Sequence, residues 1–149
     1  MKANVTFKWL PFLLLAFCFL IPAVASAAPP QDGSVSQRPV QAFDIGAGKV
    51  VKSVPNNKEF QAYAINWLGS VTGLAPQAKP EDKCGYVFRI PLKEPAMVKA
   101  GTASVRTSDV FLFYCPDKPQ VLLIFDENRK PFLLTFKADT KPFLKQMGL

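Results

Sequence analysis

An apolar stripe with the 3.6-residue repeat of an α-helix is the strongest pattern along the chain. It consists of Phe60, Tyr63, Ala64, Trp67, Leu68 and Val71. Asn56 before the stripe and Glu59 three residues later form the pattern of a capping box. Gly73 suits the position just after a helix, and Pro76 prevents its continuation. We therefore predict an amphipathic helix over 56–72 whose stripe packs on a sheet.

Alternation of apolar and polar residues with a period of two predicts strands on both sides of this helix. Lys49–Val54 is the first of these strands. Tyr86–Leu92 is the second, and it is expected to end at Pro91 and Pro95 because proline has no N–H to donate to a sheet. Ala103–Thr107 gives a weaker signal for a separate strand.

Three strongly apolar runs follow, at Val110–Cys115, Val121–Phe125 and Phe132–Phe136. Short segments rich in Pro, Asp and Asn join the runs, which is typical of hairpin turns. Asn128 is expected at the left-handed position of the second turn. The second half of the chain is therefore predicted to be an antiparallel meander, followed by a short final helix that Asp139 or Thr140 caps.

The three runs are apolar at nearly every position rather than at alternate positions. Strands of this kind are usually buried on both faces of the sheet. The helix over 56–72 covers one face, so the final helix, the N-terminal strand or another molecule has to cover the other. If nothing within the chain covers it, the apolar face implies a protein partner or a homodimer.

These elements predict a single α+β domain over 40–149. An amphipathic N-terminal helix packs on an antiparallel β-meander of about four to five strands, and a short C-terminal helix and one disulfide complete the domain. Residues 28–39 are rich in Pro, Gln, Ser and Gly and are expected to form a flexible linker.

The first 27 residues have the three parts of a secretory signal peptide. Lys2 and Lys8 supply the positive start, Leu10–Val24 is the apolar region, and Ala25–Ala27 is a small-x-small cleavage site. The apolar region, about 15 residues, is shorter than the roughly 20 residues of a membrane-spanning helix. We expect cleavage near Ala27 and a secreted or extracytoplasmic protein, with retention as an anchor as the alternative.

Removal of the leader changes the charge and the cysteine count. The full chain has a net charge of +7, and the leader contains two lysines and no acidic residue, which leaves +5. Cys84 and Cys115 remain, and in an oxidising compartment an even pair favours one disulfide. Its loop would stabilise the fold by roughly 3–4 kcal/mol. A catalytic dithiol is the alternative, although such sites use a closer spacing such as C-x-x-C.

Two groups of local patterns carry a resemblance. The first group is Lys49–Asn57 followed by Trp67-Leu68, Ser70 and Thr72-Gly73. The second group is Phe88–Leu92 with Pro95 and the C-terminal segment Phe132–Leu149. Together they resemble small secreted proteins of spore-forming Gram-positive bacteria, a family without an assigned activity. The resemblance implies an extracytoplasmic bacterial protein, and it transfers no catalytic residue.

The chain contains no histidine, which excludes Ser-His-Asp and Cys-His catalysis and histidine-ligated metal sites. A hydrolase would have to use a Ser–Lys site or two carboxylates across a cleft. The carboxylate candidates are Glu81-Asp82 and Asp126-Glu127, and both pairs lie in predicted loops. A small histidine-free hydrolase is therefore kept as an alternative, and we predict no catalytic residue, no cofactor and no metal site.

The basic residues are scattered and form no block of five or more, so no nucleic acid is expected as a partner. Cell-wall and membrane polymers are the anions available outside a cell, and a basic protein attracts them. Arg89 and Arg106 interrupt predicted strands and are the candidate residues for binding an anion or a partner. The leading hypothesis is a non-catalytic binding protein of the envelope or exterior. A structural homodimer of the envelope or spore, formed through the apolar sheet face, is the other alternative.

Overall fold

The computed structural model describes residues 38–76 and 84–148. Within these residues the strands are β1 (Val40–Asp44), β2 (Lys49–Val54), β3 (Val71–Leu74), β4 (Tyr86–Ala100), β5 (Ala103–Tyr114), β6 (Val121–Phe125) and β7 (Pro131–Phe136). The helices are α1 (Lys58–Gly69) and α2 (Lys141–Gln146). The strands form one antiparallel sheet in the order β2-β1-β4-β5-β6-β7-β3.

The α+β class is confirmed, but the N-terminal helix and the meander of four to five strands are wrong. β1 and β2 precede α1, so the helix is an insertion between strands, and the described sheet has seven strands. β3 was expected to be the end of the helix and a loop. The helix instead stops at Ser70, whose hydroxyl donates to the Trp67 carbonyl and accepts from the Ala138 N–H. This turn directs the following residues along β7.

The two prolines expected to end a strand lie inside β4. The register between β4 and β5 passes from Pro91 opposite Asp109 directly to Ala96 opposite Thr107. Residues 92–95 therefore form a large bulge. Pro95 lies inside the bulge, where it costs no ladder hydrogen bond, and Pro91 is the last paired residue before it. Because the strands resume their pairing after the bulge, the predicted separate strands at Ala103–Thr107 and Val110–Cys115 are one strand, β5.

α1 begins one residue later than its sequence pattern suggests. Asn57, not Asn56, is the N-cap, and its side chain accepts hydrogen bonds from the N–H groups of Glu59 and Phe60. Asn56 instead donates to the carbonyl of Pro91 at 2.8 Å. Its amide thereby connects the start of the helix to the bulge of β4.

Both helices pack on the same side of the sheet, which we call the inner face. Its fully buried strand residues are Val40, Phe88, Ile90, Val110, Leu112, Leu122, Ile124 and Leu134. Phe143 of α2 makes edge-to-face contacts with Trp67 (4.9 Å between ring centroids), Phe88 (5.1 Å), Phe60 (5.8 Å) and Tyr63 (5.8 Å). The final helix therefore adds to the core beside α1 and does not cover the second face.

The predicted disulfide is confirmed. Cys84 and Cys115 are bonded, with their Cα atoms 5.5 Å apart, and they join the start of β4 to the end of β5. Gly85 follows with φ +75°, and a Cβ there would overlap the Tyr114 carbonyl oxygen and lie 2.9 Å from the Cys115 Cα. The close approach of the two strand ends therefore requires glycine.

Several sequence predictions fall outside the described residues. They are the signal peptide over 1–27, residues 28–37 of the predicted linker, and the Glu81-Asp82 pair. In the described ranges, no helix has both the length and the apolar character needed to cross a membrane.

Candidate functional site

The second face of the sheet, which we call the outer face, is also apolar. Strand alternation directs one set of side chains away from the helices. The set comprises Phe43, Val50, Val87, Phe111, Phe113, Val121, Leu123, Phe125 and Leu133. Most of these side chains are half-buried by their neighbours, while Phe43 and Val50 are 38% and 48% exposed. No helix of the described residues packs on this face.

A cavity of about 370 Å³ opens beside the outer face. β5 and β6 are paired only from Phe111 to Phe113, opposite Leu123 to Val121. Beyond this short ladder the two strands are not paired. The cavity lies between β5 on one side and the turn after β6 on the other, and its volume falls in the range of small-molecule and polymer-segment sites.

Two phenylalanines form the apolar wall of the cavity. Phe111 of β5 and Phe125 of β6 line it, and their rings meet edge to face with centroids 5.7 Å apart. The guanidinium of Arg89 lies 5.8 Å from the centroid of the Phe111 ring. An aromatic wall of this kind provides a surface on which a flat ring or a sugar face packs.

Arg89, one of the two predicted site residues, is held by an ion pair. Its Nε donates to Asp109 Oδ1 at 2.9 Å. Arg38 donates to both oxygens of the same carboxylate, at 3.2 and 3.1 Å. Two arginines thus share one aspartate, and Asp109 is itself a lining residue of the cavity. Arg89 therefore fixes the wall of the cavity and does not line it.

Arg106, the other predicted site residue, lines the cavity directly. Its Nη1 lies 3.6 Å from Oε1 of Glu127, which also lines the cavity, and the side chains of this pair are 57% and 72% exposed. An ion pair this open to solvent contributes about 0–1 kcal/mol. The Arg106 guanidinium is therefore readily available to an anion that enters the cavity.

A second arginine, Arg129, lines the cavity from the turn between β6 and β7. Asp126 organises this turn, because its Oδ1 accepts from the N–H groups of Asn128 and Lys130, both at 2.8 Å. The left-handed residue is Arg129, with φ 63°, and not Asn128 as the sequence pattern suggests. Asn128 precedes it in the turn, whose closing hydrogen bond runs from the Arg129 N–H to the Asp126 carbonyl at 2.9 Å.

Arg129 is unusual in two respects. A left-handed conformation costs a residue other than glycine about 1–2 kcal/mol. Its side chain is exposed and lines the cavity, and it forms no ion pair with any described residue. Backbone strain that holds a charged side chain at a cavity is typical of a functional position.

The acidic residues of the cavity serve mainly as structural acceptors. Asp109 accepts from two arginines, Asp126 accepts from two backbone N–H groups, and Glu127 pairs with Arg106. Carboxylate-based glycoside hydrolysis needs one carboxyl group that donates a proton and a second that attacks or activates water. Ser108 also lines the cavity, but no lysine does. The described residues contain no group of three or more side chains suited to holding a metal ion.

Sequence reasoning identified Arg106 but missed Asp109, Phe111, Phe125 and Arg129. Phe111 and Phe125 were assigned to a core buried on both faces, because the runs containing them are apolar throughout. A sequence signal was present for Asp109, since it is the acidic residue directly before such a run. Arg129 gave no signal of its own, because its role depends on the conformation of the turn.

Comparison with protein-family models, with curated proteins and with solved structures gives no match. The resemblance to small secreted proteins of spore-forming bacteria therefore stays a prediction. The disulfide indicates an oxidising, extracytoplasmic location.

Proposed function

We propose that the protein is exported by its N-terminal signal peptide and acts outside the cytoplasm as a non-catalytic binding protein. In this proposal the cavity holds an anionic segment of a cell-wall or membrane polymer. The disulfide supports the location, and the mixture of arginines and aromatic rings around the cavity supports the class of ligand.

The observation that carries the proposal is the position of Arg129. This residue adopts a strained backbone conformation, lines the cavity and has no anionic partner among the described residues. The other three arginines of the cluster pair with carboxylates, Arg38 and Arg89 with Asp109 and Arg106 with Glu127. With Asp126, whose carboxylate bonds to backbone N–H groups, the cluster has four arginines and three carboxylates and thus a surplus of one positive charge. Arg129 is the arginine of this cluster without a carboxylate partner among the described residues.

Phosphate and carboxylate groups are the ligand chemistries that suit this arrangement. A guanidinium binds either group through parallel hydrogen bonds. Arg106 and Arg129 line the cavity, while Phe111 and Phe125 offer an apolar wall for the ring or chain that bears the anion. Because the site is open to solvent, binding should weaken with salt as the screening length falls to about 3 Å at 1 M.

The decisive variant is Arg129→Gly. Glycine adopts a left-handed conformation without strain, so the free energy of unfolding should be kept or raised, by up to about 1 kcal/mol. Binding of the oxidised chain from residue 28 to poly(glycerol phosphate) or polygalacturonate should weaken about fivefold, as expected from the loss of about 1 kcal/mol at a solvent-exposed site. Stability and binding should thus change in opposite directions.

Two control variants separate the contribution of Arg129 to polymer binding from the effects of backbone strain and of net charge. Asp117 has φ 64° in the turn between β5 and β6, so Asp117→Gly tests relief of the same backbone strain away from the cavity. Lys137→Gln removes one exposed positive charge elsewhere. Both controls should leave polymer binding within twofold of the wild type, and uncharged dextran should not bind. Equal loss of binding in Arg129→Gly and Lys137→Gln would reduce the interaction to net charge and overturn the proposal.

A further inference from the structure

The outer face carries an inference beyond the cavity. Its apolar side chains form continuous rows across neighbouring strands, one through Phe43, Val87, Phe113 and Val121 and another through Phe111, Leu123 and Leu133. Both helices lie on the inner face, so these rows are not covered by any described helix. A sheet with one helix-covered face and one apolar uncovered face normally packs that second face against another layer.

We propose that a second copy of this chain covers the outer face, so that two sheets pack face to face in a symmetric dimer. Aligned sheets pack about 10 Å apart with interdigitated side chains. A twofold dimer requires a self-complementary surface, and the apolar rows of one copy can meet the same rows of a second copy. The resulting order of layers would be helix, sheet, sheet, helix.

The dimensions of the face fit a weak but specific dimer. The apolar side chains of the outer face come from six strands, all except β3. Six strands spaced by about 4.8 Å and five residues rising by about 3.4 Å give a face of about 24 by 17 Å. Two such faces amount to about 800 Å², which is the size of a weak, transient interface. We therefore expect association in the micromolar range or weaker.

The charges on the face favour a second copy over an anionic membrane. The cations beside the apolar rows are Arg38 and Arg89, which both bind Asp109, and Arg106 and Arg129 at the cavity, where Arg106 pairs with Glu127. Of these four, Arg129 alone has no carboxylate partner among the described residues. The centre of the face around Leu123 is uncharged. A surface that binds anionic lipid would instead surround its apolar patch with unpaired cations. A second copy can therefore pack on the centre of this face without burying a charged group.

The test is the mass of the oxidised chain from residue 28, measured by sedimentation equilibrium from about 10 µM to about 1 mM, the range in which an interface of this size should dissociate. We expect twice the monomer mass at the upper concentrations, retained in about 1 M NaCl because the contact is apolar. A monomer mass throughout would overturn the proposal. Monomeric binding to vesicles of anionic phospholipid would also overturn it and would assign the face to a membrane.

Two variants on the face and one control identify the surface. Leu123→Lys places a charge at the centre of the face and should raise the dissociation constant at least about tenfold, which corresponds to 1.4 kcal/mol. Val121→Lys makes the same test at the end of another row, should Leu123→Lys fail to fold. Met97→Lys, at a 64% exposed methionine of β4 outside these rows, should leave the dimer unchanged. A dimer that both face variants leave intact would refute this interface.

Phe111 belongs both to the cavity wall and to an apolar row, so the two proposals are separated by variants of residues that belong to only one of the two surfaces. Neither Leu123 nor Val121 lines the cavity, so their variants should keep polymer binding while losing the dimer. Arg129→Gly should do the reverse, because the Arg129 side chain serves the cavity and not the apolar rows. The failure of one proposal is thus distinguishable from the failure of the other.

Discussion

Trp67 gives a prediction in which two large energetic effects oppose each other. It is fully buried, and its indole Nε1 has no hydrogen-bond partner among the described residues. An unsatisfied buried donor costs about 1–3 kcal/mol. Trp67→Phe removes this donor together with about 40 Å³ of side chain, which at about 24 cal/mol per Å³ of cavity costs about 1 kcal/mol. The lost burial of apolar area costs about 1 kcal/mol more. The free energy of unfolding should therefore change by no more than about 1 kcal/mol in either direction.

The matched control for this prediction is Phe143→Leu. Phe143 is also fully buried, and its ring lies 4.9 Å from that of Trp67, but it carries no polar atom. Its truncation should cost about 1–2 kcal/mol with no compensating gain. Urea unfolding of the oxidised chain, followed by far-UV circular dichroism, measures both variants. Trp67 is the only tryptophan after residue 27, so fluorescence cannot be used for Trp67→Phe. A loss above about 1.5 kcal/mol in Trp67→Phe, which would exceed what an unsatisfied indole donor permits, would refute the reasoning about the indole.

Three further predictions concern the disulfide and the ion pairs. Reduction of Cys84–Cys115 should lower the free energy of unfolding by about 3.5 kcal/mol, read from urea midpoints with and without reductant, and a loss below about 1 kcal/mol would contradict the loop-closure argument. Gly85→Ala should cost at least about 3 kcal/mol, because a Cβ there overlaps the Tyr114 carbonyl; a wild-type urea midpoint with the disulfide formed would contradict this. Asp109→Asn should release two arginines beside the cavity from their shared carboxylate. Poly(glycerol phosphate) should then bind about two- to fivefold more tightly in calorimetric titration at low salt. Unchanged or weaker binding would contradict the proposal that the site binds anions.

Elements with a strong local pattern could be predicted from the sequence. β2 and β6 have the predicted bounds, and the apolar stripe of α1 faces the core as expected. β1 and β3 were missed because they are short and take their stability from pairing with distant strands, β4 and β7. The prolines of β4 misled the prediction for a related reason. The bulge that follows Pro91 and contains Pro95 is a property of the β4–β5 pair and not of the proline positions themselves.

The candidate site could be predicted only in part, because it is assembled from distant segments. Arg106 was identified since it interrupts an apolar pattern, and Arg89 was identified in the same way but proved to hold Asp109. The role of Arg129 depends on which residue of a five-residue turn adopts the left-handed conformation. Asn128 has the higher intrinsic preference for it. Hydrogen bonds to Asp126 instead place Arg129 there.

The apolar runs of the second half show a similar limit. Their composition correctly indicated that both faces of the sheet are apolar, but composition alone cannot specify which molecule covers each face. The position of α2 beside α1, set by the contacts of Phe143 with Trp67 and Phe88, leaves the outer face without a helix among the described residues.

The central claim is that the cavity between β5 and the turn after β6 binds an anionic polymer segment. Titration of poly(glycerol phosphate) into the ¹⁵N-labelled oxidised chain, followed by amide and arginine Nε–Hε chemical shifts, tests it most directly. We expect the shifts to concentrate at 106–111 and 125–130, with the side-chain signals of Arg106 and Arg129 moving most, and to reverse at high salt. Shifts confined to other basic segments, such as the lysines of β2 and α2, or no shifts at all, would contradict the account.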